Sequence, residues 1–409
     1  MELKELTEQQ FNDYKDNCGL SSIYQSTNYY KVMNQENYDS ILVGLVDNNN
    51  ILAASLVLIS KSKIKYAYAP RGFIIDYNNL NLLNTFTTLI KEYLNNKKVV
   101  SIKICPPIIK NTTDFKYNIN NYNNYFDNIF YNLTEAGYKH LGYSNYFEGL
   151  KPRFEAIIDL SVPYYILFKN IDKKYRTKIR SAENKGITVY KGDDTNINFL
   201  FDQIKEKNPK KVNYFTNMFN EFGKDALYFY TKLDTKHYLD YLQKKLSVQE
   251  TYCSYINTTV SSKNKFSIRN TERKMNADKE LNRLKRALVR ATKLLKDYPD
   301  GIITSAALVL IDKNEAYLLT NGQDKNYKDF NSNNLLIWKI MEYTSKLGLK
   351  RLNLGGMTNP NQKKFKGLND FRIKYNALCY EYIGDLELIC NNTKYFIYRK
   401  SPIKDILKK

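Results

Sequence analysis

Apolar and polar residues alternate in two rhythms along this chain, and the switches between them outline its elements. Residues 42–46 and 52–59 are apolar runs around Asn48-Asn49-Asn50, the turn chemistry of a hairpin. Residues 64–68 continue as a third strand that stops at Pro70. Residues 82–94 change to helical spacing, and 99–104 form a short buried-type strand ending at Pro106-Pro107. A similar order returns later. Residues 306–311 and 316–320 flank Asp312-Lys313-Asn314, a helix is expected over 333–346 before Gly348, and 349–354 is a strand running into Gly355-Gly356. This echo predicts an α/β (α+β) chain built from two related domains. Between the two, residues 107–135, rich in Asn and Tyr, read as a long loop. Residues 154–160 open the second domain as a strand, and 167–185 read as one basic helix closed by Gly186.

The stretch 237–300 differs. Leu239, Leu242, Leu246, Gln249, Cys253 and Ile256 fall on heptad a and d positions, and Leu281, Leu284, Leu288, Ala291 and Leu295 do so again. With 258–270 as the turn, this predicts an antiparallel helical hairpin, a coiled-coil arm ended by Pro299 and Gly301. The expected division is a first domain over 1–150, completed by the tail 391–409, a second over 151–236 and 301–390, and the arm over 237–300.

Composition narrows the chemistry. Of 409 residues, 63 are basic and 42 acidic, a net charge of +21. Such an excess favours polyanionic partners, although a generally basic proteome produces it too. The first residues lack an apolar signal region, and the longest apolar stretch, 51–59, is too short to span a bilayer. Five scattered cysteines fit reduced thiols in a cytosol. With only His140 and His237, metal sites and histidine triads are not expected. The sixteen glycines include no Gly-x-Gly, which removes the dinucleotide fingerprint and the pyrophosphate loop of an acetyl-CoA acyltransferase. No cofactor is expected, and an acyl donor is not CoA.

Basic residues then supply candidate contacts. Lys279, Arg283, Arg286, Arg290 and Lys293 recur at steps of four and three, each two residues past the apolar seam and about 200° around the helix. That predicts a basic stripe suited to an RNA backbone, with an ordinary solvated face as the competing explanation. Lys173, Arg176 and Arg180 share another helical face, beside Tyr175. Arg71, in a turn set by Pro70 and Gly72, can offer a planar fork to a carboxylate or phosphate. Gly355-Gly356-Met357 and the segment Lys363-Lys364-Phe365-Lys366-Gly367-Leu368 suggest an anion site at a helix start, with Arg372 or Lys374 able to stabilise developing negative charge.

At these motifs the chain resembles the FemABX family over nearly its whole length. Gln25-Ser26 with Tyr29 and Lys31-Val32, Tyr68-Ala69-Pro70-Arg71-Gly72 with Asp76, and Lys174, Arg176, Ile179, Arg180, Ala182, Lys185 and Gly186 match family segments. So do Gly355-Gly356, Gly367-Leu368, Phe371 and Glu381-Tyr382-Ile383-Gly384, all in the family's order. The resemblance implies two acetyltransferase-like domains with an inserted arm. It implies an amino acid carried by aminoacyl-tRNA and added to the stem-peptide side-chain amine of UDP-MurNAc-pentapeptide or lipid II. It places the chain in the cytoplasm, with contact to the inner membrane face.

The patterns and the resemblance together assign residues. Lys31, Tyr68, Arg71, Lys210, Lys211, Tyr214 and Tyr317 fall to substrate binding, Arg372 and Lys374 to catalysis. Arg176, Arg180, Lys279, Arg283, Arg286, Arg290 and Lys293 fall to tRNA. Two departures stand out. The family's catalytic lysine is Arg372, which keeps the charge but does not readily give up a proton. The family's Asp-Pro is Cys105-Pro106. A CoA-dependent acyltransferase and a non-catalytic RNA-binding member are the rival functions.

Overall fold

Two hairpins frame the molecule. In the computed structural model, which describes residues 1–400 except 20–21, 115, 117, 207, 209, 263–267 and 363, Asn48 and Asn49 both take positive φ (46° and 70°). That is the backbone of a two-residue primed turn, whose twist suits a hairpin. The first half runs β1 (Glu2–Glu5), α1 (Glu8–Asn17), α2 (Thr27–Gln35), β2 (Tyr38–Asp47), β3 (Asn50–Ser60), β4 (Lys65–Ala69), α3 (Leu80–Asn96) and β5 (Val99–Ile104). β2, β3 and β4 pair antiparallel in sequence, whereas β5 lies parallel to β4 after the α3 crossover. Then follow β6 (Ile109–Thr113), β7 (Ile119–Tyr122), α4 (Phe126–Glu135) and β8 (Lys139–His140).

The second half opens with β9 (Phe154–Asp159), α5 (Tyr164–Asn170), α6 (Lys173–Asn184), β10 (Ile187–Gly192), α7 (Ile197–Ile204), α8 (Val212–Phe222) and β11 (Ala226–Leu233). Two long helices, α9 (Thr235–Ser262) and α10 (Ile268–Asp297), lead to β12 (Ile302–Asp312), β13 (Glu315–Gln323), α11 (Ser332–Lys346) and β14 (Arg351–Met357). The chain ends in α12 (Lys366–Ile373), β15 (Leu378–Tyr382), β16 (Leu386–Ile389) and α13 (Asn392–Lys400). β12 and β13 form the second hairpin, and β14 lies parallel to β13 after α11. The expected echo is therefore present as geometry: each half carries antiparallel strands, a helix and a parallel return.

Among the described residues the strands form two sheets, ordered β1-β2-β3-β4-β5-β16-β8 and β10-β11-β12-β13-β14-β9-β15-β6-β7. Three expectations need correction. The stretch 107–135 is not a loop: β6 and β7 extend the second sheet and α4 packs on the first core. Its Asn-rich strand β7 is exposed throughout, so it has no apolar alternation to read. The helix expected over 167–185 is two helices, because Asp172 accepts from the Lys174 N–H (2.9 Å) and starts α6 afresh. The strand expected to end at 354 runs on through Gly355-Gly356 to Met357, while α12 begins at Lys366, inside the segment expected at a helix start.

The arm's helices extend further into the expected turn than the pattern suggested, and residues 263–267 of that turn lie outside the described residues, as do Lys363 and residues 401–409 of the tail. Seam residues Leu242, Leu284 and Ala291 join the core of the second half, while Cys253, Ile256 and Ala277 form a small apolar contact farther out. Among the described residues, no helix is long and apolar enough to cross a membrane.

Each half has its own core, and a third core joins them. There Phe11, Val32, Leu56 and Leu58 pack with Phe215, Met218, Leu308 and Leu310. A buried Lys15–Asp312 ion pair and a Lys313 contact to the Cys18 carbonyl (3.3 Å) link α1 to the second hairpin turn. The halves thus pack on one another, and a cleft lined from both sides, by Arg71 and by Glu155 and Tyr317, lies between them.

Candidate functional site

Each half ends a pair of parallel strands, and the two ends differ. At the first, β4 and β5 stay paired to their ends, and the chain leaves them at Pro70 and Cys105. Gln25 braces the turn. Its side-chain N–H groups donate to the Pro70 carbonyl (2.8 Å) and the Leu56 carbonyl (3.2 Å), and its oxygen accepts from the Leu56 N–H (2.7 Å). Ser26 caps α2 by accepting from the Tyr29 N–H (3.1 Å). A Cβ on Gly72 would stand 2.7 Å from the Gln25 amide, so glycine is needed for this close approach. The Gln-Ser and Pro-Arg-Gly motifs are therefore one device that shapes the rim of the cleft.

Arg71 does not present a free fork. Its Nη2 donates to Glu155 Oε1 (2.6 Å) and to the Pro152 carbonyl (2.9 Å), and its guanidinium lies 4.2 Å from the Tyr382 ring centre. Glu155 also accepts from the Asn353 amide (2.8 Å). The pair is buried, with 5% and 9% side-chain exposure, and it joins the two halves. The expectation that Arg71 holds a substrate carboxylate is corrected to this extent: a protein carboxylate already occupies that place. Tyr68 shares a hydrogen bond with Cys105 Sγ (3.3 Å), which also accepts from the Arg71 N–H (3.4 Å). Burial pushes the Cys105 thiol up, so it stays protonated at neutral pH.

The residues expected to bind the acceptor are distributed around the first end. Tyr214 is buried on α8 and shares a hydrogen bond with Tyr29, and burial raises both hydroxyls far from neutral pH. Lys210 lies 4.6 Å from the Tyr214 ring centre and 3.7 Å from Glu36. Lys31 pairs with Glu8 at 2.9 Å on the α2 surface, which raises its pKa. Lys211 is exposed just before α8. Tyr317 lines a cavity of about 150 Å³ together with Arg71, Glu155, Glu315 and Arg351.

Lys151, which no sequence pattern marked, lies half-buried near Arg71, Glu155 and Lys210. Its Nζ is 3.3 Å from the Tyr24 ring centre and 5.9 Å from that of Tyr29. Burial, reinforced by Arg71 and Lys210, lowers its pKa to about 7, against the opposing pull of Cys105 and Glu155. Glu155 was also missed, although a lone carboxylate inside the apolar run 154–158 is a signal for a buried charge seeking a partner.

At the second end, β13 and β14 pair only over 315–317 and 351–353, which leaves a gap beyond. Beyond that, β13 stays with β12 and β14 with β9, so the two diverge. Arg372 enters here from α12. Gly355 lies beside it, where a Cβ would be in ordinary contact at 3.4 Å from Arg372 Nη2; its φ of 88° is what favours glycine. Arg372 Nη1 is buried with no hydrogen-bond partner among the described residues. Burial lowers its pKa to about 10, so it remains charged at neutral pH. Lys374 turns elsewhere; its Nζ lies 5.4 Å from the Tyr175 ring centre. The structure therefore brings Arg372, and not Lys374, to the gap.

The basic residues read as RNA contacts are partly engaged. Arg290 pairs with Asp329 (2.8 Å) and lies over Phe330. Arg283 pairs with Glu280 at 2.5 Å, and Arg286 donates to the Asn282 carbonyl (3.4 Å). Lys279 and Lys293 are exposed. On α6, Arg176 donates to the Lys169 carbonyl (3.0 Å), and Arg180 lies 5.5 Å from the Phe168 ring centre. Arg283, Arg290 and Lys245 crowd Lys185 at the end of α6 and, with burial as the main cause, lower its pKa. The stripe is therefore not wholly outward: Arg290 reaches the body of the second half, because α10 packs its lower turns there. A larger cavity, about 460 Å³, lies between β10 and α11, and none of the motif residues lines it. Its Lys339 and Lys346 are ion-paired with Glu342. Among the described residues, no cluster of side chains fits a metal ion.

A family model described as the FemAB family matches residues 6–400. The chain is similar to the lipid II:glycine glycyltransferase of Staphylococcus epidermidis, at 25% identity over 425 residues covering 98% of this chain and 95% of that protein. It is similar to aminoacyltransferase FemA of Staphylococcus epidermidis, at 24% identity over 413 residues covering 98% of each. The crystal structure of FemX shares the fold, with a TM-score of 0.74 at 21% identity, covering 98% of this chain and 100% of that one.

Proposed function

Because this chain belongs to the FemAB family, and is by that membership a transferase, we propose that it moves an amino acid from aminoacyl-tRNA to the stem-peptide side-chain amine of a peptidoglycan precursor. Arg372 carries the reading: a buried guanidinium with an unpartnered N–H, held at a gap between diverging strands. An aminoacyl ester is already activated. The attacking amine needs positioning, loss of a proton, and a fixed donor for the oxyanion that forms at the carbonyl. Arg372 supplies the donor and its charge without changing protonation.

The two sides of the cleft then take different substrates. Lys31, Lys210 and Tyr214 face the precursor, either UDP-MurNAc-pentapeptide or lipid II, and the basic residues near Lys185, with Lys279, Arg286 and Lys293, face the tRNA. Their one-signed character, with Asp329 and Glu280 as local counter-charges, supports a phosphate partner. The reaction runs in the cytoplasm, at the inner membrane face where the acceptor is lipid-linked.

The test is direct. The purified chain is incubated with tRNA charged with glycine, serine or alanine and with each precursor form, and the stem peptide is weighed by mass spectrometry. A gain of one amino-acid residue is expected in one combination. No gain in any of them refutes the proposal.

A further inference from the structure

The transfer needs a group that accepts a proton at neutral pH, and most ionisable side chains around the cleft are unable to do so. Cys105 is held protonated by burial. Glu155 is engaged by Arg71 and Asn353. Burial raises the pKa of both Glu315 and Asp385, but Glu315 is held by Arg351 and Asp385 is turned to the Leu150 N–H (2.8 Å). Tyr24, Tyr29, Tyr68 and Tyr214 are all raised by burial. Both histidines lie outside the cluster, with ring nitrogens against the Ile383 and Asn184 carbonyls.

Lys151 is different. It rises from the segment just before β9 into the space between the halves, and its amine rests on the faces of Tyr24 and Tyr29. Among the described residues no carboxylate forms an ion pair with it, whereas lysines on the outer surface such as Lys31 and Lys339 are paired. The groups that face it are Tyr24 before α2 and Tyr29 on it, Arg71 after β4, Cys105 after β5, Glu155 on β9 and Lys210 before α8. The tyrosine faces favour the ammonium, but burial and two nearby cations disfavour it and prevail, and the one nearby carboxylate is spent on Arg71. An amine in such a seat resembles the lysines that serve as bases elsewhere in enzymes.

We propose that Lys151 is the general base of the transfer. The proposal rests on the reaction given above. As the acceptor nitrogen forms its bond to the ester carbonyl carbon, it sheds a proton to the neutral Lys151 amine. The ester C–O bond then breaks, and the departing ribose oxygen takes that proton from the Lys151 ammonium. One amide and one free hydroxyl result, and Lys151 returns to its starting form. The residue supplies what Cys105 cannot, on the same side of the cleft and within the electrostatic reach of Arg71 and Glu155.

Two variants and one titration test this. Lys151→Arg keeps a cation but cannot deprotonate, and Lys151→Met removes the amine. Both are expected to lower kcat by about 100-fold or more, with KM for the precursor nearly unchanged. Wild-type kcat should fall as pH drops below about 7, the pKa of the Lys151 amine, and the variants should lose that limb. Near-normal transfer by Lys151→Arg overturns the proposal and leaves Lys151 an anion-holding cation. Independently, carbon-13 reductive methylation of the whole chain, with the Lys151 signal identified by its loss in Lys151→Met, reads its titration by NMR. A midpoint near 10 overturns the proposal whatever the activity. If wild type transfers nothing to any acceptor, the proposed function fails and the base role falls with it, while the titration still reports the state of the amine.

Discussion

The two halves carry the same strand pattern and end it differently. At the first end the strong groups other than Lys151 are matched: Arg71 with Glu155, Gln25 with the Leu56 and Pro70 carbonyls, Tyr68 with Cys105. At the second, Arg372 keeps a buried donor without a partner. A satisfied polar network rigidifies, and an unsatisfied buried donor is costly unless something arrives to use it. Under the proposed transfer, the first end is the frame of the cleft and the second the place where charge develops.

Breaking the frame has the largest expected effect. Removing one member of the Arg71–Glu155 pair strands a buried charge, so Arg71→Ala or Glu155→Ala should each cost about 3–5 kcal/mol in urea unfolding. The double variant Arg71→Met with Glu155→Leu should cost clearly less than the sum, since no unpaired charge remains. If either single variant unfolds like wild type, the first end is not the frame described.

The second end should respond the opposite way. Arg372→Ala is expected to lower kcat by about 100- to 1000-fold, the usual cost of one oxyanion donor. Its melting temperature should hold or rise, because a strained burial is relieved. Arg372→Lys should recover part of the rate by restoring charge without the planar fork. Unchanged transfer by Arg372→Ala removes this residue from the mechanism and the contrast with it.

This contrast was only half legible in the sequence. The hairpins, the crossover helices and the two-part echo were readable, because apolar spacing and the Asn48-Asn49 and Lys313-Asn314 turns act locally. The motif around Arg71 was readable as a pattern, but its role depended on Glu155, which lies 84 positions away. Position along the chain says nothing of such a pairing. Lys151 left no trace at all, since its state comes from Tyr24, Arg71 and Lys210, contributed by three other segments. The opposite failure occurred at Lys374, where proximity to Arg372 in sequence suggested a shared task. Their side chains diverge, one to Gly355 and one to Tyr175.

A smaller effect sharpens the electrostatics between the two ends. In the unfolded chain Lys151 titrates near 10.4, whereas in the folded chain it does so at about 7. Between those values the unfolded chain binds a proton that the folded chain does not, so wild-type stability rises with pH across that window. Below about 7 both forms hold the proton, and the full burial cost is present. Lys151→Met lacks the dependence. Its stability advantage over wild type should be greatest below pH 7 and shrink steadily above it, as read by melting temperatures at about pH 6, 8 and 9.5. A difference that does not vary with pH means that Lys151 titrates normally.

The smallest expected effects lie on the arm, and they decide whether donor and acceptor use different sides. Arg290 and Asp329 are 41% and 53% exposed, so their pair is worth under about 1 kcal/mol. Arg290→Ala, Lys279→Ala and Lys293→Ala should therefore leave unfolding almost unchanged. Each cation taken away from an RNA phosphate should instead lower the salt dependence of tRNA binding by just under about one unit of log–log slope. Affinity for the precursor should not move. Lys31→Ala and Lys210→Ala should show the mirror result, with weaker precursor binding and an unaltered tRNA salt slope. Arg290 sets the stricter condition because it already has a partner: if it reaches RNA, it must exchange Asp329 for a phosphate, and its slope change should be smaller than that of the exposed Lys279. An equal weakening of both substrates by either set of substitutions would show one shared polyanion surface, and the division between a framing half and a reacting half would then not extend to substrate choice.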